Sequence, residues 1–153
     1  MEEKIEKELK WAVLGTGIIA NEMAQALEKM GKNLYAVANR THGKAVEFVE
    51  KYGVQKVYDK IEDMFTDKET DIIYITTPHN THIKFMIEAL KNGKHVLCEK
   101  SITLNSEELE EAVKIAKEKN LILGEAMTIF NMPLYTKLSD IVNSGKLGDV
   151  KMI

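Results

Sequence analysis

Four short stretches place reactive or ligand-holding residue types at telling intervals. Gly15-Thr16-Gly17-Ile18-Ile19-Ala20 sets two glycines one residue apart and a small side chain three further on. Gly15 permits a tight turn, Gly17 lets a pyrophosphate approach backbone N–H groups at a helix N-terminus, and Ala20 allows close helix–strand contact. Asn39-Arg40 follows about 20 residues later, where such a site would set an acid against the adenosine ribose. Asn39 brings no carboxylate to repel a 2′-phosphate. Arg40, with Thr41 and Lys44 nearby, brings donors suited to one. The pair favours NADP over NAD, although an Arg40 that merely stacks on adenine suits either. The third stretch, Thr76 to His82 (TTPHNTH), has Pro78 to break a strand and Asn80 or Thr81 to cap a following helix. His79 and His82, three apart, invite a metal. No third ligand of suitable spacing accompanies them, so no metal is expected, and His82 reads as a residue that packs or hydrogen-bonds at the loop–helix junction. In the fourth, His95 to Ser101 (HVLCEKS), an apolar run stops abruptly at Glu99 and Lys100. An ammonium at a crevice floor can orient a carboxamide or a substrate hydroxyl; a solvated charge pair after a strand is the plainer reading.

The surrounding sequence must position these groups. Short apolar runs alternate with amphipathic stretches: Lys10–Gly15, NLYAVAN, KVYD, DIIYITTP, HVLCEK and LILGEA read as six strands. Between them lie helices with apolar residues at helical spacing. Ile19, Met23, Ala26, Leu27 and Met30 mark the first, Val46, Val49 and Tyr52 the second, and Ile83, Met86, Ile87 and Leu90 the one after the fourth strand. A helix opened by a Ser106 cap follows the fifth strand, and a last helix runs from Pro133 to a stop at Gly145. Its acidic start and basic finish make the Ser106 helix a solvated face matched to the helix dipole. Strands without polar alternation, separated by helices, predict an α/β fold with a doubly wound parallel sheet, the Rossmann NAD(P)-binding architecture. In such sheets ligands bind beyond the carboxyl ends of the strands, and Glu99 and Lys100 fall there.

With 153 residues, 44% hydrophobic and 29% charged, the chain fits one globular domain. A net charge of −3 argues against nucleic acid as a partner. No apolar run approaches the roughly 20 residues of a membrane span. The start MEEKIEKELK lacks the apolar core of a secretory signal, and the single Cys98 excludes an internal disulfide. A cytoplasmic protein is expected.

Together, GTGIIA, the strand ending in Asn39-Arg40, TTPHNTH, GKHVLCEKS and SGKLGDVKMI resemble, in order and spacing, the glucose–fructose oxidoreductase/inositol dehydrogenase (Gfo/Idh/MocA) family, most of all its dihydrodiol-dehydrogenase-type branch. The resemblance runs from Lys10 to the C-terminus. It implies NAD(P)-dependent hydride transfer between nicotinamide and a sugar, cyclitol or related alcohol or ketone. It further implies that Gly15, Thr16, Gly17, Ile18 and Ile19 hold the pyrophosphate and that Asn39 and Arg40 face the adenosine ribose. Thr76, Thr77, Pro78, Asn80 and His82 would line the middle of the cofactor. Glu99 would approach the nicotinamide ribose, Lys100 the nicotinamide and the reacting oxygen as the catalytic residue, and Glu125 the carboxamide. Three departures stand out: Ser101 replaces the usual proline of E-K-P, Phe130-Asn131 replace an Arg–Phe pair, and the second α+β domain of the family is missing.

These points divide the chain into a charged lead (1–9), a Rossmann domain (10–126), and a linking helix with the truncated start of a substrate domain (127–153). They predict the cofactor-binding half of an oxidoreductase, inactive alone, that partners a nicotinamide dinucleotide and, in the full-length protein, a small polyol, sugar or carbonyl substrate. Apolar residues of Met127–Pro133 and Val150–Ile153 are expected on the surface, with either self-association into a homo-oligomer or a disordered tail. The alternatives are a stand-alone NAD(P)-sensing domain and, more weakly, an S-adenosyl site.

Overall fold

The four apolar residues Trp11–Leu14 have no polar alternation, and they form β1 with three of the four fully buried. The computed structural model, which describes residues 8–151, continues this pattern through six strands and six α-helices. In order they are α1 (Ile18–Lys29), β2 (Ala36–Ala38), α2 (His42–Tyr52), β3 (Lys56–Val57), α3 (Ile61–Thr66), β4 (Ile72–Ile75), α4 (His82–Lys91), β5 (His95–Cys98), α5 (Ser106–Glu118), β6 (Leu123–Glu125) and α6 (Pro133–Asn143). Single 3₁₀ turns lie at His79–Thr81 and Thr128–Asn131. All strand pairs are parallel, in the order β3-β2-β1-β4-β5-β6. Chain order reverses between β1 and β4, which opens a crevice above their carboxyl ends.

The two-residue period of the strands divides the core. Ala12, Leu14, Ile73, Ile75, Val96 and Cys98 pack with Met64 and Phe65 of α3, Met86 and Leu90 of α4, and Ala112 and Ala116 of α5. Val13, Val37 and Tyr74 face the other side, against Ala20 and Ala24 of α1 and Ala45 and Phe48 of α2.

Helix orientation departs from the apolar rows expected. On α1 the buried residues are Ala20 and Ala24; Met23 and Leu27 are half-buried, while Ile19, Ala26 and Met30 are exposed. Small side chains let the helix axis lie close over β1, and the larger ones are left flanking the contact. α2 does the same, burying Ala45 and Phe48 while Val46, Val49 and Tyr52 are half-buried. α4 follows expectation, with Met86 and Leu90 buried and Ile83 and Ile87 packed at the margin. The cap of α5 is Asn105, one residue before the expected Ser106: its Oδ1 accepts from the Glu108 N–H at 2.9 Å. Neither Asn80 nor Thr81 gives α4 a side-chain cap; the Thr81 hydroxyl instead donates to the Pro78 carbonyl at 2.6 Å.

Beyond β6 the surface is apolar. Phe130, Met132, Leu134, Tyr135, Leu138 and Val142 are exposed, Phe130 by 77%, and Leu147 and Val150 continue the trend. Met152 and Ile153 lie outside the described residues. No helix among the described residues is long and apolar enough to cross a membrane.

Candidate functional site

The turn between β1 and α1 begins at Gly15, whose φ of +109° is open to glycine alone. A Cβ there would also stand 2.5 Å from the Thr76 Oγ1, and that hydroxyl is itself held by the Leu14 carbonyl at 3.0 Å. The Gly15 N–H donates to the Ala38 carbonyl, which ties the turn to the end of β2. Gly17 is the N-cap of α1 and differs in kind. Its φ of −74° is ordinary, and nothing lies within 4 Å of where a Cβ would project. Ile18 and Ile19 occupy the first two helical positions, whose N–H groups have no intrahelical acceptor. The turn therefore presents backbone donors to an open space at a helix N-terminus.

Asn21, which sequence reasoning passed over, braces this turn. Its amide donates to the Gly17 and Thr16 carbonyls at 2.8 and 3.2 Å, while its Oδ1 accepts from Tyr52 and Lys51 of α2. Its signal was position alone: an amide one helical turn into α1, able to reach back to the loop carbonyls. Asn39 donates through Nδ2 to the Thr16 Oγ1 at 2.6 Å. The amide is thus fixed with its carbonyl oxygen as the remaining acceptor.

Among the cavities that border the glycine turn, two lie over the carboxyl ends of the strands. One, of about 360 Å³, is lined by Leu14, Gly15, Asn39, Arg40, Thr77, Pro78, Asn80 and Thr81, with Ile61 and Phe85 as apolar walls. The other, of about 500 Å³, lies across the ends of β5 and β6, between Ile19, Met23 and Ala26 of α1 and the segment Ala126–Ile129. Glu22, Tyr74, Glu99 and Lys100 supply its polar groups. The exposed row of α1 is thereby accounted for, since part of it is cavity wall. Ile61, Phe85, Tyr74 and Glu22 were invisible as site residues because each reads as an ordinary core or helix-surface position.

Glu99 is half-buried and accepts a short hydrogen bond from the Tyr74 hydroxyl. Burial raises the Tyr74 phenol above its ordinary value and the Glu99 carboxylate raises it further, so the phenol stays a donor and Glu99 an acceptor. The Cys98 thiol is pushed up to about 12, first by burial and then by the charges of Glu99 and Glu125. It is an inert core group.

Two expected site residues sit elsewhere. His82 is fully buried, with Nε2 2.8 Å from the Thr77 carbonyl and Nδ1 3.0 Å from the Ser101 carbonyl. It supports the crevice from beneath and does not line it, in keeping with the junction role read from the residues. The Glu125 carboxylate accepts from the Ile102 N–H at 2.9 Å and is not part of the larger cavity's wall. No group of three or more metal-ligating side chains occurs among the described residues. The bond between Lys100 and Ser101 is cis.

Residues 9–127 match the family described as "Oxidoreductase family, NAD-binding Rossmann fold" (Gfo/Idh/MocA). The trans-1,2-dihydrobenzene-1,2-diol dehydrogenase of Xenopus laevis is 33% identical over 147 residues, which are 94% of this chain and 44% of that protein. The human protein of the same name is 31% identical, with the same coverage. Among solved structures, a mutant 3-ketoreductase from Actinomadura kijaniata in complex with TDP-benzene and NADP has a TM-score of 0.86 at 27% identity, covering 94% of this chain and 44% of that one. The myo-inositol 2-dehydrogenase of Lactobacillus plantarum has a TM-score of 0.84 at 26% identity, covering 94% and 43%. The chain spans less than half the length of these relatives.

Proposed function

The chain belongs to the Gfo/Idh/MocA oxidoreductase family, and we propose on that premise that it is the nucleotide-binding half of an enzyme that oxidises a diol, cyclitol or sugar, or reduces the matching ketone. The observation that carries this reading is the open space at Gly17 between two cavities of unlike lining. A nicotinamide dinucleotide fits that arrangement. Its diphosphate would meet the donors at the start of α1, and its two nucleoside ends would enter the cavities on either side. Arg40, exposed at the smaller cavity beside Asn39, supports NADP over NAD: a guanidinium is a bidentate partner for a 2′-phosphate, and no carboxylate opposes it.

The nicotinamide supplies hydride transfer when bound. The residues of this chain would do the rest. Glu99, its donor from Tyr74 already in place, accepts from a ribose hydroxyl and fixes the sugar. Lys100 lines the larger cavity, and its ammonium would donate to the substrate oxygen and stabilise the negative charge that develops there. Ile19, Met23 and Ile129 exclude water from the same cavity. The residues of this chain are expected to suffice for nucleotide binding.

Calorimetric titration of the 153-residue chain with NADPH, NADH and S-adenosylmethionine tests this directly. Heat with the pyridine nucleotides, and more tightly with NADPH, is expected. Binding of S-adenosylmethionine alone, or of none of the three, would end the proposal.

A further inference from the structure

Lys100 lies on an irregular segment between β5 and α5, and residue 101 is a serine, whose φ is not fixed by a ring. Something else must hold the main chain at that point. The anchors on either side are the Glu99 N–H on the Ile75 carbonyl and the Ile102 N–H on the Glu125 carboxylate. Between them, the carbonyl of residue 100 is taken by an imidazole from the turn after β4, and a second imidazole stands beside the carbonyl of residue 101. The Nε2–H of His79 donates to the Lys100 carbonyl at 2.7 Å, and Nδ1 of His82 faces the Ser101 carbonyl at 3.0 Å. The two rings pack edge to face with centroids 5.4 Å apart. His82 is wholly enclosed, its one N–H shared between the Thr77 and Ser101 carbonyls according to tautomer, so its removal would disturb the core. His79 is exposed, and Lys100 is where its ring bonds.

We propose that His79 is a positioning residue for Lys100. Its imidazole clamps the peptide that carries the lysine to the turn bordering the other cavity, so that ammonium and bound nucleotide keep a fixed relation. A lysine side chain amplifies small main-chain rotations, and a displacement of about 1 Å at a reacting group is enough to matter greatly. This inference rests on the dinucleotide reading above, and it assigns a role to a histidine that the sequence offered only to a metal.

The test compares ligands that do and do not reach Lys100. His79→Leu removes the donor and His79→Gln keeps one. For each, affinities for NADPH and for 2′-phospho-ADP-ribose, which lacks the nicotinamide, are measured in the wild-type and Lys100→Met backgrounds. The leucine variant is expected to bind NADPH roughly tenfold more weakly, with 2′-phospho-ADP-ribose unchanged, the glutamine variant restored in part, and no further loss once Lys100 is methionine. Without nucleotide, the leucine variant is also expected to lower the heteronuclear NOE of the Ser101 and Ile102 amides. Equal loss for both ligands, loss that persists in the Lys100→Met background, or unchanged amide order would each overturn the role of His79. A wild-type chain that binds no pyridine nucleotide defeats the functional reading at the first titration, which keeps the two failures distinct.

Discussion

Gly17→Ala should separate ligand binding from folding. The backbone at Gly17 has φ −74° and ψ −170°, an extended conformation that alanine adopts without strain, and no atom lies within 4 Å of the new methyl. Losing a glycine from the unfolded ensemble adds about 0.4–1 kcal/mol, and alanine, a poorer N-cap than glycine, takes back about 0.5–1 kcal/mol. Net stability should therefore change by no more than about 0.5 kcal/mol. The methyl instead occupies the space through which a diphosphate would approach the start of α1. Displacing one charge-assisted hydrogen bond costs roughly 1.5–3 kcal/mol, which is about 10- to 100-fold in Kd.

Gly15→Ala is the opposite control. Its φ of +109° costs roughly 1–3 kcal/mol for any other residue. The new methyl would sit 2.5 Å from a Thr76 hydroxyl that is already hydrogen-bonded, adding about 1 kcal/mol as that bond breaks. At roughly 2–4 °C per kcal/mol for a domain of this size, the melting temperature should fall by several degrees or more. Thermal melts and NADPH calorimetry on both variants suffice. An alanine at 17 that melts like wild type and still binds NADPH within threefold would show that the open space at the turn is not the diphosphate site.

Arg40→Ala should weaken NADPH by about 10- to 100-fold and leave NADH within about threefold, because only the 2′-phosphate loses its partner; equal losses for both would argue that Arg40 stacks on adenine. Asp67→Asn should destabilise the chain by about 1–3 kcal/mol near neutral pH, read by urea unfolding. The Asp67 carboxyl is held well below its ordinary 3.8: burial opposes this, but hydrogen bonds from Lys56 and Tyr58 outweigh it. A depressed folded-state value gives stability that is present above the unfolded value and lost as pH falls, so wild type and variant should converge as pH drops below about 4. Cys98, fully buried and with its thiol pushed up to about 12, should resist iodoacetamide at pH 8 until denaturant is added; labelling of the native chain would contradict the packing described for β5.

The strand–helix alternation and the glycine turn were legible because their causes are local. A β1 of continuous apolar residues and the tight G-x-G spacing carry their structural demands in a handful of adjacent positions. What misled was inference from side-chain size. The row Ile19, Met23, Ala26, Leu27, Met30 is the bulkiest stripe on α1, yet the helix beds on Ala20 and Ala24 because small residues permit the closer approach. Periodicity reports how apolar a face is, and not how near it comes. The same limit applies to His79, whose partner is a main-chain carbonyl twenty-one residues away. No pattern of residue types encodes such a contact before the sheet order brings the turns after β4 and β5 side by side.

Topology is also what decides among polar clusters. Among the described residues, the carboxylate moved furthest from its ordinary value is not in the crevice. It is Asp67, which accepts from Lys56, Tyr58 and the Glu69 amide while Lys94 bonds its carbonyl and that of Thr70. By chemistry alone this cluster rivals Glu99 and Lys100 as a catalytic candidate. Most of its members, however, stand where strands begin: Lys56 opens β3, Thr70 leads into β4 and Lys94 into β5, while Tyr58 reaches back from the end of the two-residue β3. Parallel α/β sheets bind ligands at the other end, where the chain leaves the strands. The cluster borders a cavity of its own, of about 570 Å³, but both Asp67 carboxylate oxygens are already engaged, Oδ2 by Lys56 and Tyr58 and Oδ1 by the Glu69 amide. Glu99 has one oxygen engaged by Tyr74 and borders a cavity of about 500 Å³. Empty volume lies beside both clusters, so what separates them is partnering and place: a shifted group with both oxygens engaged is a fastener, and one engaged on a single oxygen beyond the carboxyl ends of the strands keeps an acceptor for a ligand.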